Sequence, residues 1–197
     1  RNCLISGNRA SLGTKSDGCG GGMAILNGTD VVISNCVIAT NSTLSDGTGT
    51  GLYINQSTSR VVQCVISNNI QVGSGGVGAG IHVTDSGKTV ISNCTIIGNS
   101  ASRYAGGAYI LNGLLTHCTI TNNYARSSGG GVQLHTTTAG SRLFYSIVTG
   151  NRAGGEGGGG VAVNRGTIEN CLFLFNATNN SGLSRVYSPR TAPKRPS

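Results

Sequence analysis

The sequence predicts an all-β solenoid, a parallel β-helix of about six to seven coils with three short strands in each. Three observations predict it. First, Asn2-Cys3, Asn35-Cys36, Gln63-Cys64, Asn93-Cys94, His117-Cys118, Tyr145-Ser146 and Asn170-Cys171 each open a copy of one motif. Five residues after the Cys, or after Ser146, an Asn always follows: Asn8, Asn41, Asn69, Asn99, Asn123, Asn151 and Asn176. Second, a Gly-led apolar step precedes each complete copy, at Gly22, Gly51, Gly80, Gly107, Gly131 and Gly160, spaced 29, 29, 27, 24 and 29 residues apart. Third, a further apolar step such as Val31-Val32-Ile33 or Thr89-Val90-Ile91 lies between the two motifs. A fixed period of this length marks a repeat architecture.

Each unit therefore holds three β-prone segments too short for a helix and too short for a stable sheet alone. Stacked in register they make three long parallel sheets around a shared interior, each coil burying the next. At about 4.8 Å per strand the rod is about 30 Å long. The two-residue link between the middle and Cys strands, Ser34-Asn35 in the first full coil, is a bend where Asn tolerates a left-handed backbone. The link into the next Gly motif varies most and carries the Gly-rich loops.

The β-helix is expected over residues 1–181. Residues 182–197 hold Arg185, Arg190, Lys194 and Arg195 among three prolines, and read as a basic, disordered tail or linker. The chain opens inside a repeat, which suggests a fragment lacking its N-terminal cap, with flanking segments of the same protein beside it. Of the net +8, the tail carries four; the other ten basic residues against six acidic ones leave +4. That is an ordinary soluble surface. It calls for no nucleic acid, and no apolar run reaches the length of a membrane span.

These Gly-Gly-Ile…Asn-Cys-x-Ile-x-x-Asn units resemble the right-handed parallel β-helix repeats of the pectate-lyase-like superfamily, and more narrowly those of bacterial cell-surface and autotransporter-like proteins. The resemblance covers about residues 2–176. It implies a right-handed coil and an extracellular or bacterial cell-surface setting. It leaves activity open, because such repeats serve enzymes, adhesins and stalks alike.

Residues for chemistry are few. Cys3, Cys36, Cys64, Cys94, Cys118 and Cys171 share one inward repeat position. In-register Cβ atoms about 4.8 Å apart exceed disulfide reach, so a column of reduced, buried thiols is expected. Cys19 is the odd one, in a loop. The seven Asn should form a hydrogen-bonded ladder that satisfies turn groups. Asp17, Asp30, Asp46, Asp85, Glu156 and Glu169 are scattered, with no pair for two-carboxylate hydrolysis. No Cys or His spacing suits a metal, and no cofactor is called for. The row after the Cys, Leu4, Val37, Val65, Thr95, Thr119, Ile147 and Leu172, is not the Thr row an ice-binding face would want.

The first strand is more telling. Its outward positions read Ala24, Tyr53, His82, Tyr109, Gln133 and Ala162. In pectinase-like relatives this face floors the sugar-binding groove. Tyr53, His82, Tyr109 and Gln133 are therefore glycan-binding candidates, weighed against the plain reading that such residues simply suit strands. Arg60 and Lys88 (with Arg142 and Arg165) are expected to flank the face from the variable turns. Arg103 and Arg126 (with Arg152) are expected to flank it from the long loops. The leading expectation is a non-catalytic extracellular segment, structural or adhesin-like, with weak affinity for acidic polysaccharide. The alternative is a polysaccharide lyase or glycoside hydrolase whose catalytic coils lie outside this stretch or go unrecognised in it.

Overall fold

A computed structural model describes residues 1–10, 19–44, 47–84, 89–135, 140–155 and 157–179. Asp17, Asp46, Asp85, Lys88, Glu156 and the tail from 182 lie outside them.

The three expected strands are present in every full coil. The Gly strands are Met23–Leu26, Leu52–Asn55, Ile81–Thr84, Ala108–Leu111, Val132–Leu134 and Val161–Val163. The middle strands are Val31–Ser34, Ser59–Val62, Val90–Ser92, Gly113–Thr116, Ser141–Phe144 and Thr167–Glu169. The Cys strands are Leu4–Ser6, Val37–Ala39, Val65–Ser67, Thr95–Ile97, Thr119–Thr121, Ile147–Thr149 and Leu172–Leu174. Each set forms one parallel sheet whose strands neighbour only their copies one coil away.

A fourth sheet joins them. Two- and three-residue strands follow the Asn in each coil, from Arg9–Ala10 and Ser42–Leu44 to Ala177–Thr178. Their inward positions are small or polar, with Ala101, Ala125 and Ala153 buried beside Thr43 and Gln71. This corner is narrow, so it gives no apolar signal of its own.

Three in-register columns of large aliphatic side chains run through the core. Ile54, Val83, Ile110 and Leu134 stack in the Gly sheet. Val61, Ile91, Leu115 and Leu143 stack in the middle sheet. Ile38, Ile66, Ile96, Ile120 and Val148 stack in the Cys sheet. All are almost wholly buried, and each such side chain stabilises by about 1.5–3 kcal/mol relative to exposure.

Two left-handed bends flank each Cys strand. The residue before the Cys has φ near 50° throughout: Asn2, Asn35, Gln63, Asn93, His117, Tyr145 and Asn170. The residue before the ladder Asn is also left-handed, at Gly7, Thr40, Asn68, Gly98, Asn122, Gly150 and Phe175. The ladder runs unbroken. Asn99 Oδ1 accepts from both the backbone N–H (3.0 Å) and Nδ2 (2.9 Å) of Asn69, while Asn99 Nδ2 donates to the Ile66 carbonyl at 3.0 Å. The same contacts link Asn8, Asn41, Asn123, Asn151 and Asn176 in turn.

All seven cysteines are free, and Cys36, Cys64, Cys94 and Cys118 are buried. Cys3 and Cys171, in the first and last described coils, are more open, and Cys19 is half-buried. Each buried thiol donates to the carbonyl two residues back, as from Cys94 to Ser92 at 3.2 Å. Ser146 substitutes closely: its hydroxyl donates to the Phe144 carbonyl at 2.8 Å and accepts from the Cys118 N–H at 3.1 Å. Hydrogen bonding to the Cys118 thiol, then burial, push the Cys94 thiol up to about 12.

Candidate functional site

The Tyr and His row forms on the outer face of the Gly sheet. Tyr53, His82, Tyr109 and Gln133 are consecutive partners in the register. They alternate with the buried Leu52, Ile54, Ile81, Val83, Ala108 and Ile110, which is why they point away from the core.

The row is not evenly open. His82 is 8 % exposed and Gln133 is 6 % exposed, while Tyr53 and Tyr109 are half-buried. Loop residues cause the covering. A Cβ on Gly78 would lie 3.0 Å from Cβ of both His82 and Tyr109, so the loop backbone passes directly over them. The His82 ring meets Tyr53 edge-on at 5.4 Å and 83°, and Tyr109 at 4.8 Å and 65°. It is a wedge between the tyrosines rather than a third flat platform. Burial pushes the His82 imidazole down to about 3, so it is neutral. Its Nδ1 has no hydrogen-bond partner among the described residues.

Beyond Tyr109 the face opens into a cleft of about 400 Å³, lined by Tyr104, Tyr109, Ser128, Gln133, His135, Ala162 and Asn164. Tyr109 and His135 stack at 6.0 Å and 24°. Gln133 is held at both ends: its Oε1 accepts from Ser128 at 3.0 Å and its Nε2 donates to Asn164 Oδ1 at 2.9 Å. His135 Nδ1 is buried without a hydrogen-bond partner among the described residues. Burial, then the neighbouring Tyr104, push the Tyr109 phenol up against the pull of Arg103, so it stays a hydroxyl donor. The cleft thus offers aromatic walls, an amide pair, hydroxyls and an imidazole.

Sequence reasoning singled out Tyr109 and Gln133 but not Tyr104, Ser128, His135 or Asn164. A signal existed. Cys19, Thr48, Val77, Tyr104 and Ser128 each lie three residues before the motif Gly, and Val77, Tyr104 and Ser128 bridge in register. This loop column walls the face. His135 and Asn164 lie two residues beyond Gln133 and Ala162, on the same side of the pleat.

The cations divide. Arg103 stands over the Tyr104 ring at 4.7 Å and so borders the cleft, and Arg126 is exposed on the same side of the coil, just after Tyr124–Ala125. Arg60 is a correction. It is not in a turn beside the row but inside strand Ser59–Val62, paired with Val32 and Val90. There it borders a separate groove with Asp30 and Thr58. The strand begins two residues earlier than the apolar pattern indicated, because inward Ser59, hydrogen-bonded to Ser57 at 2.6 Å, takes an apolar residue's place. Arg142 likewise lies inside its strand, 5.9 Å from the Phe144 ring. Lys88 lies outside the described residues. Among the described residues no group of three His, Cys, Asp or Glu could hold a metal ion.

Four parallel sheets, a single chain winding through them and a continuous asparagine ladder define a parallel β-solenoid. The chain matches the family described as right handed beta helix region over residues 1–113, and it belongs to that family. No curated protein and no solved structure matches it.

Proposed function

We propose that this chain is a non-catalytic, extracellular β-helix segment of a bacterial surface or secreted protein, structural or adhesin-like, whose Gly-sheet face contacts acidic glycans weakly. The observation that carries the reading is the Tyr53–His82–Tyr109 row leading into the cleft beside Gln133 and Asn164. Aromatic walls with a few fixed polar groups suit a sugar ring, and Arg103 at the rim attracts a carboxylate over a distance that salt shortens.

Binding near millimolar, about 4 kcal/mol, is the expected scale. The test is calorimetry with oligouronates and neutral glucans, using wild type and a Tyr53→Ala/Tyr109→Ala double variant. The reading requires stronger binding of the uronates, weakened in the double variant, and no new reducing ends or unsaturated uronides. Equal binding by both proteins would sink the face as a glycan site. Steady release of unsaturated product would make the protein a lyase.

A further inference from the structure

We propose that the outer face of the Cys sheet is a self-complementary interface through which two copies of this chain pack face to face. This face is on a different sheet from the Tyr53–Tyr109 row.

Its outward positions form two columns. One reads Leu4, Val37, Val65, Thr95, Thr119, Ile147 and Leu172; the other reads Ser6, Ala39, Ser67, Ile97, Thr121, Thr149 and Leu174. The two left-handed bend columns rim the face, from Asn2 to Asn170 and from Gly7 to Phe175. None of these positions holds Asp, Glu, Lys or Arg, in a chain of net charge +8. Large apolar groups stay exposed there: Val65 is 38 %, Ile147 43 % and Phe175 86 % exposed.

The occupant follows from the order of sizes. A two-fold axis along strand Thr95–Ile97 keeps strand direction and reverses coil order. In the first column it sets Leu4 against Leu172, Val37 against Ile147, Val65 against Thr119 and Thr95 against itself. In the second it sets Ser6 against Leu174, Ala39 against Thr149, Ser67 against Thr121 and Ile97 against itself. At one rim it sets Gly7 against Phe175, so the most exposed large side chain meets the residue with none. Apolar therefore meets apolar at the ends of the first column and Thr meets Thr at its centre; in the second column Leu174 meets Ser6, small residues meet Thr149 and Thr121, and Ile97 meets Ile97 at the centre. That is what an isologous contact needs, and sheets do pack face to face about 10 Å apart.

The size is adequate. Seven strands about 4.8 Å apart and about five residues of about 3.3 Å each give a face of roughly 29 by 16 Å. Its corrugated accessible area reaches about 600 Å² per copy, the lower end of specific interfaces.

Sedimentation of the full chain at rising micromolar concentration tests the proposal. Wild type should move from the mass of one chain to that of two. Val65→Lys and Thr119→Glu, both at exposed positions, should each raise the dimer dissociation constant at least about 100-fold by burying an unpaired charge. Their circular dichroism should match wild type. The double variant should recover most of the loss, because the axis sets position 65 of each copy directly against position 119 of the other, whereas within one chain the two positions stand two coils, about 10 Å, apart. A wild type that stays monomeric, an association indifferent to both single changes, or a double variant no better than the singles would overturn the interface.

Discussion

Gly80 and Asn99 share one space: a Cβ built on Gly80 would stand 3.0 Å from the ladder amide Nδ2 of Asn99 and closer still to the Gly107 carbonyl oxygen. The pairing repeats as Gly51 with Asn69, Gly107 with Asn123 and Gly131 with Asn151. The Gly motif and the Asn motif, far apart in each repeat, are thus two sides of one contact. Gly80→Ala should cost about 1–3 kcal/mol through overpacking, read as a lower urea midpoint at unchanged slope.

The ladder itself should be more sensitive at its centre than at its end. Asn99→Ala removes the acceptor of two Asn69 donors and the donor to Ile66, leaving several buried groups unpaired. Each such group costs about 1–3 kcal/mol, so a total loss of about 3 kcal/mol or more is expected. Asn8 is exposed and contributes its Nδ2 and N–H to Asn41 alone. Asn8→Ala should cost under about 1 kcal/mol. Chemical denaturation of the two variants side by side measures the contrast, and equal losses would contradict it.

The thiols should divide by position. Denatured protein should titrate all seven without prior reduction. In the native protein Cys3 should react first, then Cys171 and Cys19, because they are exposed or half-buried. Cys36, Cys64, Cys94 and Cys118 should resist a thiol reagent near neutral pH. They are buried, and the Cys94 thiol beside it, together with burial, pushes the Cys64 thiol far above its ordinary range. Rapid native labelling of the inner four, located by mass spectrometry, would contradict the buried column.

His82 makes the fold acid-sensitive. Its folded pKa is depressed to about 3 by burial, against about 6.5 in an unfolded chain. Below pH 6.5 the unfolded chain therefore binds the extra proton and gains stability relative to the fold. The contribution is complete above pH about 6.5 and is lost as pH falls toward 3, by at most about 1.4 kcal/mol per pH unit. His82→Phe keeps an aromatic edge between Tyr53 and Tyr109 and removes the titration. Its thermal midpoint should fall less between pH 7 and pH 4 than that of wild type.

The fold was legible because its determinants stand at fixed offsets: Ile38, Ile66, Ile96 and Ile120 two residues past the Cys, and the Asn five residues past it. The fourth sheet was not, since Ala101, Ala125 and Ala153 fill a narrow corner where nothing large can stand. The row from Tyr53 to Gln133 was legible from strand alternation. Its covering was not, because the loop backbone that buries His82 acts through Gly78, a residue with no side chain to read. Half the cleft was missed for a related reason. Tyr104 and Ser128 keep a constant offset from the motif Gly but differ in kind, so position rather than residue type marks them.

The separation of Arg60 from Arg103 gives the sharpest functional prediction. If acidic glycan lies along the Gly-sheet face, only cations near that face should tune it. Arg103 stacks on Tyr104, which lines the cleft. Arg60 stands in the middle sheet between Val32 and Val90. Arg103→Gln should weaken oligouronate binding about three- to ten-fold at low salt and flatten its salt dependence, since an exposed charge contributes about 1 kcal/mol and is screened. Arg60→Gln should change neither. Tyr109→Ala should cost about ten-fold at any salt, because ring stacking is not screened, and more than Tyr53→Ala, because Tyr53 is not among the cleft residues. Calorimetric titrations at low and high salt compare all four variants. An Arg60→Gln effect as large as that of Arg103→Gln would move the acidic ligand off this face and into the Asp30–Arg60 groove.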